Sequence, residues 1–209
     1  MARHPYLRHI YNLSDTSEIR DYYDETAGNY DQVLHDEVGY VAPDRTADAL
    51  AAHTPVRDQA IIDIGCGTGL VGEGLVRHGF TVVDGADYSR GMLAVARDKG
   101  CYRELFQVDL NHDLSLPARH YDVAISAGAI GIEHIEASAL DRIVALLVPG
   151  GLLVVTLNER AMQVGQGIAE KFQALQVAGT LIPQRTEIVD YHLNEGIKGW
   201  LGIFQAAPD

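Results

Sequence analysis

The sequence is poor in cysteine and short of positive charge. Cys66 and Cys101 are its only thiols and form no CxxC pair, so neither a disulfide framework nor a structural zinc site is on offer. No apolar run approaches the ~20 residues that a membrane span requires. The opening residues, Met1-Ala2-Arg3-His4-Pro5-Tyr6, lack the apolar core of a signal peptide, and with no membrane span expected the cytoplasm is the expected compartment. Sixteen Lys and Arg stand against 29 Asp and Glu in 209 residues, a net charge of −13. Such an acidic chain lacks the basic footprint that grips a phosphate backbone, which argues against a nucleic-acid partner. Internal repeats are missing too. The histidines show no HxxxH or paired-acid spacing, so no metal site is expected.

What is present is a globular composition, 47% hydrophobic and 22% charged. The length suits one α/β domain burying roughly 70% of its unfolded surface. We read residues 1–209 as a single domain, with 1–55 a helical cap rich in Tyr, Asp and His and 56–209 the core. Helical patterning covers Ser17–Asp36 and Pro43–Ala52. Strands are expected at Ala60–Ile64, Thr81–Ala86, Leu105–Val108, Tyr121–Ser126 and Leu152–Leu157. Helices follow over Leu70–His78, from a Ser89 cap through Lys99 to Gly100, over Ala137–Leu147 with a stop at Val148-Pro149-Gly150-Gly151, and over Met162–Ala178. Two further strands, Glu187–Leu193 and Trp200–Ala206, flank the turn Asn194-Glu195-Gly196. The alternation implies a Rossmann-like, doubly wound, seven-stranded sheet, mostly parallel, that ends in an antiparallel hairpin.

The most informative motif is strand–Gly65-Cys66-Gly67-Thr68-Gly69–helix. Glycines at such a turn permit positive φ and let a ligand approach the main chain closely. Leu70 stands where the third glycine of GxGxxG belongs, which weakens a dinucleotide reading, and no GxxxxGK motif of a triphosphate loop occurs. Asp87 lies 22 residues beyond Gly65, at the end of the second strand. There its carboxylate can accept hydrogen bonds from both hydroxyls of a ribose.

Together with Ile62-Asp63-Ile64 before the loop, Ala86-Asp87-Tyr88-Ser89 with Met92, Val108-Asp109-Leu110, Tyr121-Asp122 and Leu147-Val148-Pro149-Gly150-Gly151, this order of motifs resembles the class I S-adenosylmethionine-dependent methyltransferases over nearly the whole chain. The N-terminal run from Tyr23-Asp24-Glu25 through Gly39-Tyr40-Val41-Ala42-Pro43 is most similar to the Williams-Beuren-region methyltransferase-like proteins. The resemblance implies S-adenosylmethionine as cofactor and S-adenosylhomocysteine as product. It implies that Gly65, Cys66, Gly67 and Gly69 pass under the methionine part while Asp63 holds the loop. By the same resemblance Asp87 binds the ribose, Tyr88 belongs to the cofactor site, Met92 packs against the adenine, and Asp109 with the Leu110 backbone reads its amino edge. Ser126 and Ala127 lie near the methyl group, and Tyr23 and Tyr30 close over the methionine end. Met92 at helical spacing with Val95 also suits an ordinary core, and Asp109 also suits a turn cap before Asn111.

Methyl transfer needs alignment and desolvation more than an acid–base pair, so few catalytic side chains are expected. His134, in Glu133-His134-Ile135 after the fourth strand, is the candidate general base, and an imidazole that caps the next helix is its structural alternative. The N-terminal segment and residues 158–183 are expected to wall a small-molecule acceptor. Asn158 and Arg160 are candidates to hold a carboxylate. No Asn-Pro-Pro-Tyr type motif follows the fourth strand, where Ser126-Ala127-Gly128-Ala129 stands, which disfavours a nucleobase or glutamine-amide acceptor. A protein methyltransferase and a non-catalytic cofactor-binding partner remain as alternatives, and the chain is expected to be a monomer or homodimer.

Overall fold

A computed structural model of the chain describes residues 4–10, 13, 16–112, 115–131, 135–163 and 167–209. The apolar runs after residue 60 become five parallel strands: β1 (Ile61–Ile64), β2 (Val83–Asp87), β3 (Leu105–Gln107), β4 (Tyr121–Ala127) and β5 (Leu147–Asn158). Strands β6 (Leu181–His192) and β7 (Ile197–Ala206) form the antiparallel hairpin, with β7 inserted beside β5. The order is β3-β2-β1-β4-β5-β7-β6. The chain winds outward from β1 through β2 to β3 and then returns to β4 on the other side of β1. That reversal opens a crevice at the carboxyl ends of β1 and β4, where doubly wound sheets bind ligands.

Helices α3 (Ala42–His53), α4 (Leu70–Arg77) and α5 (Arg90–Lys99) follow, together with α6 (Ala139–Ala145), α7 (Glu159–Gln163) and α8 (Ile168–Val177). Alternation along β1 divides the core. Ile61 joins Leu50 of α3 and Leu75 of α4 in one cluster, while Ile62 and Ile64 join Leu140 and Ile143 of α6 and Phe172 of α8 in the other. Each such side chain, fully buried, contributes about 1.5–3 kcal/mol. Ahead of the sheet run α1 (Pro5–Ile10) and α2 (Thr16–Gln32), the latter continued by a π-helical turn over Val33–Val38 that Gly39 ends at φ +69°.

Local signals were accurate where the chain makes its own cap. Ser89 accepts a hydrogen bond from the Met92 amide to start α5, and Gly100 ends it at φ +65°. Three expectations need correction. Pro149-Gly150-Gly151 does not close a helix: α6 ends at Ala145, and the three residues lie inside β5 as an irregularity between the pairs Tyr121–Leu147 and Val123–Leu152, with Gly150 at φ +77°. The long helix over Met162–Ala178 is two helices, and Gly167 at φ +76°, immediately before α8, is incompatible with a continuous one. Strand β6 begins at Leu181, six residues before the expected Glu187, and runs through Pro183. As the outer strand of the sheet it tolerates a residue without an N–H, at the cost of a register shift between Pro183 and Arg185.

Candidate active site

The loop between β1 and α4 is built from main-chain constraints. Gly65, Gly67 and Gly69 take φ of +68°, +53° and +96°, a region that side chains disfavour. A Cβ on Gly65 would lie 2.2 Å from that of Ala129, so the loop packs against the segment after β4. The amides of Gly65 and Cys66 both donate to the Ala86 carbonyl, at 2.8 and 3.1 Å, which ties the loop to the end of β2. Asp87, the last residue of β2, completes the turn. Its Oδ2 accepts from the Gly67 amide and its Oδ1 from the Ser89 amide, each at 2.8 Å. Burial nevertheless pushes the Asp87 carboxyl above the usual carboxylate range, against those main-chain donors.

Above this loop lies a cleft of about 760 Å³ including its mouth, within the range of small-molecule sites. Gly65, Gly67, Asp87, Tyr88, Met92, Asp109, Leu110 and Ala127 line it, and Tyr23 and Tyr30 line it from the N-terminal cap. Asp109 lines the cleft, and its Oδ1 accepts from the Asn111 amide at 3.0 Å to close the turn that was its structural alternative. Met92 is likewise both core, at 2% exposure, and cleft wall.

Four expected residues lie behind the wall. Cys66 is buried, its thiol pushed well up by burial, and Gly69 packs against Tyr102, where a Cβ would come within 3.1 Å of the ring. Ser126 donates to the Ile64 carbonyl at 2.8 Å and so joins the ends of β4 and β1. Asp63 is fully buried under the loop, where Tyr102 Oη donates to its Oδ2 at 2.6 Å. Burial pushes the Asp63 carboxyl up to about 7, the tyrosine opposes this, and the charge of Asp87 adds to it. Asp63 Oδ1 has no hydrogen-bond partner among the described residues. His134 and Glu133 lie outside the described residues.

Helix α2 roofs the cleft through three fastenings. Asp24 Oδ1 accepts from Ser89 Oγ at 2.5 Å and from the Gly91 amide at 2.8 Å. The Arg20 guanidinium lies 5.4 Å from the centre of the Tyr88 ring, and its Nη1 is 3.3 Å from the phenol oxygen. Asp31 accepts from Thr68 Oγ1 and pairs with Lys99 at 2.6 Å. None of these partners was expected as a site residue except Tyr88. Arg20 carries no local signal, because its role depends on how α2 lies on α5.

A second chamber, of about 630 Å³ including its mouth, lies beside the cleft, and the two share Tyr23, Tyr30, Tyr40 and Gly128. Tyr40 Oη donates to the Ala127 carbonyl at 3.2 Å. A Cβ on Gly128 would lie 2.5 Å from that hydroxyl and 2.3 Å from Tyr191 Oη. Asn158 lines this chamber, and its Oδ1 also accepts from the Arg160 amide at 2.7 Å, capping α7. Leu181–Pro183, expected in the acceptor wall, belong to β6 instead. Tyr40 and Gly128 lie in segments singled out by sequence, but nothing local marks either as a wall of two cavities.

A doubly wound sheet with an antiparallel strand inserted beside β5, and a glycine loop and acid at its switch point, defines the class I methyltransferase architecture. Residues 61–151 match the family model described as a methyltransferase domain. Human methyltransferase-like protein 27 is 30% identical over 178 residues, covering 83% of this chain and 72% of that protein. The ubiquinone biosynthesis O-methyltransferase of Roseobacter denitrificans is 38% identical over 117 residues, covering 52% of this chain and 45% of that one, so the match spans less than half of that relative. Among solved structures, the magnesium protoporphyrin IX methyltransferase of Synechocystis PCC 6803 with bound S-adenosylmethionine superposes with a TM-score of 0.68 at 19% identity, covering 94% of this chain and 98% of that one, a likeness of fold. The chain belongs to the class I S-adenosylmethionine-dependent methyltransferases.

The cleft fits that cofactor. Nothing lies within 4 Å of where a Gly67 Cβ would stand, so the main chain of the loop is open to a ligand. Asp87 spends one lone pair of each oxygen on the main-chain amides of Gly67 in the loop and Ser89 after β2, and a carboxylate has about four to offer. Among the described residues no helix is long and apolar enough to cross a membrane, and no group of three or more His, Cys, Asp or Glu is arranged to hold a metal.

Proposed function

We propose that the protein transfers a methyl group from S-adenosylmethionine to an oxygen, nitrogen or sulfur atom of a small molecule held in the chamber beside the cofactor cleft. The cofactor supplies a methyl group activated by its sulfonium, and displacement by the acceptor atom leaves the electron pair on sulfur. Asp87 accepts from the ribose hydroxyls, with the lone pairs the loop leaves free. Gly65 and Gly67 present bare main chain to the methionine part, and Asp63 and Cys66 hold the loop from beneath. Tyr88 and Met92 flank the adenine, whose amino edge meets Asp109 and the Leu110 backbone. Ala127 lies at the methyl end, and Tyr23 and Tyr30, which line both cavities, flank the path along which the acceptor atom meets the methyl group and help exclude water. His134 stands as the base for acceptors that must lose a proton.

The observation that carries this reading is the Asp87 carboxylate, drawn between the Gly67 and Ser89 amides beside the glycine loop. A small acceptor is supported by the chamber's size, about 630 Å³ including its mouth, and by Tyr23 and Tyr30 of α2, which line it beside the cleft. Calorimetry should show S-adenosylhomocysteine binding with one site per chain and no comparable binding of NAD. Incubation of the protein with methyl-labelled cofactor and a cell extract should put label into the fraction of low molecular mass. Label confined to macromolecules would overturn the acceptor class, and absence of cofactor binding would overturn the reading as a whole.

A further inference from the structure

The rings of Tyr6, Tyr23, Tyr30, Tyr40 and Tyr191 wall the second chamber, and among the described residues no Lys, Arg, Asp or Glu lines it. An acceptor bearing a carboxylate or phosphate therefore finds no cationic partner there, and a buried charge without a partner is strongly disfavoured. Flat aromatic bodies, by contrast, pack well on such rings, edge to face or offset.

Two polar side chains in this wall are left incomplete among the described residues, Tyr6 at its hydroxyl and His192 at Nδ1. His192, the last residue of β6, is 4% exposed, and its ring packs 5.1 Å from that of Tyr40 and 4.7 Å from that of Tyr191, centre to centre. Its Nδ1 is buried with no hydrogen-bond partner among the described residues. Unpartnered buried nitrogens are rare in folded proteins and call for a ligand or water to complete them. Burial also pushes the imidazole down to about 4, although Glu195 pulls the other way, so the ring is neutral near pH 7. Surroundings that suppress the charge of an imidazole also oppose an ammonium ion, which tells against a cage for cationic amines despite the tyrosines. A neutral imidazole offers either a donor or an acceptor at Nδ1, and a hydroxyl can answer both.

Resting on the reading of the cleft given above, we infer that the chamber takes an uncharged, flat, aromatic acceptor that carries a hydroxyl, and that this hydroxyl completes the hydrogen bonding of His192 Nδ1. Tyr23 and Tyr30 then contact the aromatic body on the side nearer the cofactor.

The test uses the full chain saturated with S-adenosylhomocysteine and four probes that share one ring system: 2-naphthol, 2-methoxynaphthalene, 2-naphthoate and 2-naphthylmethylammonium. Calorimetry should find 2-naphthol bound roughly tenfold or more tightly than each of the others, the scale of one buried hydrogen bond. His192→Phe, which keeps a ring in the wall, should bring 2-naphthol to the level of its methyl ether and leave the affinity for S-adenosylhomocysteine within about twofold. His192→Gln, which keeps a hydrogen-bonding group, should retain part of the preference and serves if the phenylalanine variant does not fold. Equal affinity for the four probes, a preference for the ammonium or the carboxylate, no binding of any probe to the loaded protein, or an unchanged preference in both variants would overturn the inference. Failure of the wild-type protein to bind S-adenosylhomocysteine is a separate result and counts against the reading of the cleft instead.

Discussion

The two cavities share a wall yet are made in opposite ways. What sets the cleft apart is its main chain and carboxylates at or just past strand ends, Gly65, Gly67, Asp87 and Asp109, beside the tyrosines that both cavities share. The chamber is assembled from rings that span the chain from Tyr6 to Tyr191, without a charged side chain among the described residues. The first kind of construction suits a polar, constant ligand, because backbone geometry leaves little to vary. The second suits a ligand recognised by shape and by a single hydrogen bond, because side chains can be exchanged without disturbing the sheet.

Substitutions confined to one cavity should break this contrast open, and the largest effect is expected at Gly65. An alanine there meets Ala129 at 2.2 Å in a left-handed backbone conformation, and the combined overpacking and backbone strain should cost about 2–5 kcal/mol. Chemical denaturation should show that loss, and cofactor binding should vanish. A stable Gly65→Ala protein with normal affinity would mean that the loop is not held as described.

Next comes Asp63, beneath the cleft. With its carboxyl pushed up to about 7, the folded protein keeps a proton that an unfolded chain, titrating near 4, has already released. Stability from this group is therefore full below about pH 4, falls as pH rises towards about 7, and is level above that. Asp63→Asn removes the penalty. Its advantage over wild type should grow from near zero at pH 4 to at most about 4 kcal/mol at pH 8, as read from melts across that range. A difference that stays constant with pH would show that Asp63 ionises freely.

Asp87→Ala should weaken S-adenosylhomocysteine binding by about 1.5–3 kcal/mol, the range for hydrogen bonds to a charged group, while the chamber's ranking of neutral probes stays as it is. Equal loss in both cavities would erase the distinction between them. The smallest effect is expected at the roof they share: Asp24→Ala removes the acceptor for Ser89 Oγ and the Gly91 amide, and should weaken cofactor and probe binding alike by about 1 kcal/mol. Calorimetry on both ligands reads this directly, and an effect limited to one of them would show that α2 roofs only that one.

The same contrast explains what sequence reading reached. The loop, Asp87, the Ser89 cap and the Gly100 stop are legible because each is local, a residue type at a spacing with a stereochemical reason. The chamber is not, because Tyr40 meets His192 through an isolated bridge and a ring contact between the segment before α3 and the far end of β6, a pairing that depends on the whole hairpin. Arg20 and Tyr88 likewise meet across 68 positions. Pro149-Gly150-Gly151 misled for a related reason. Turn chemistry was read as punctuation, whereas pairing with the neighbouring strand accommodates it as an irregularity. Cys66, Gly69 and Ser126 were correctly tied to the loop and the strand ends, but motif spacing does not reveal which side of a loop a residue faces.

Gly128 lines both rooms and has no space for even a methyl group beside the two phenols. Any lineage that adapts this scaffold to a new guest must therefore alter the furniture around that bare stretch of backbone, the rings themselves, before the glycine can change.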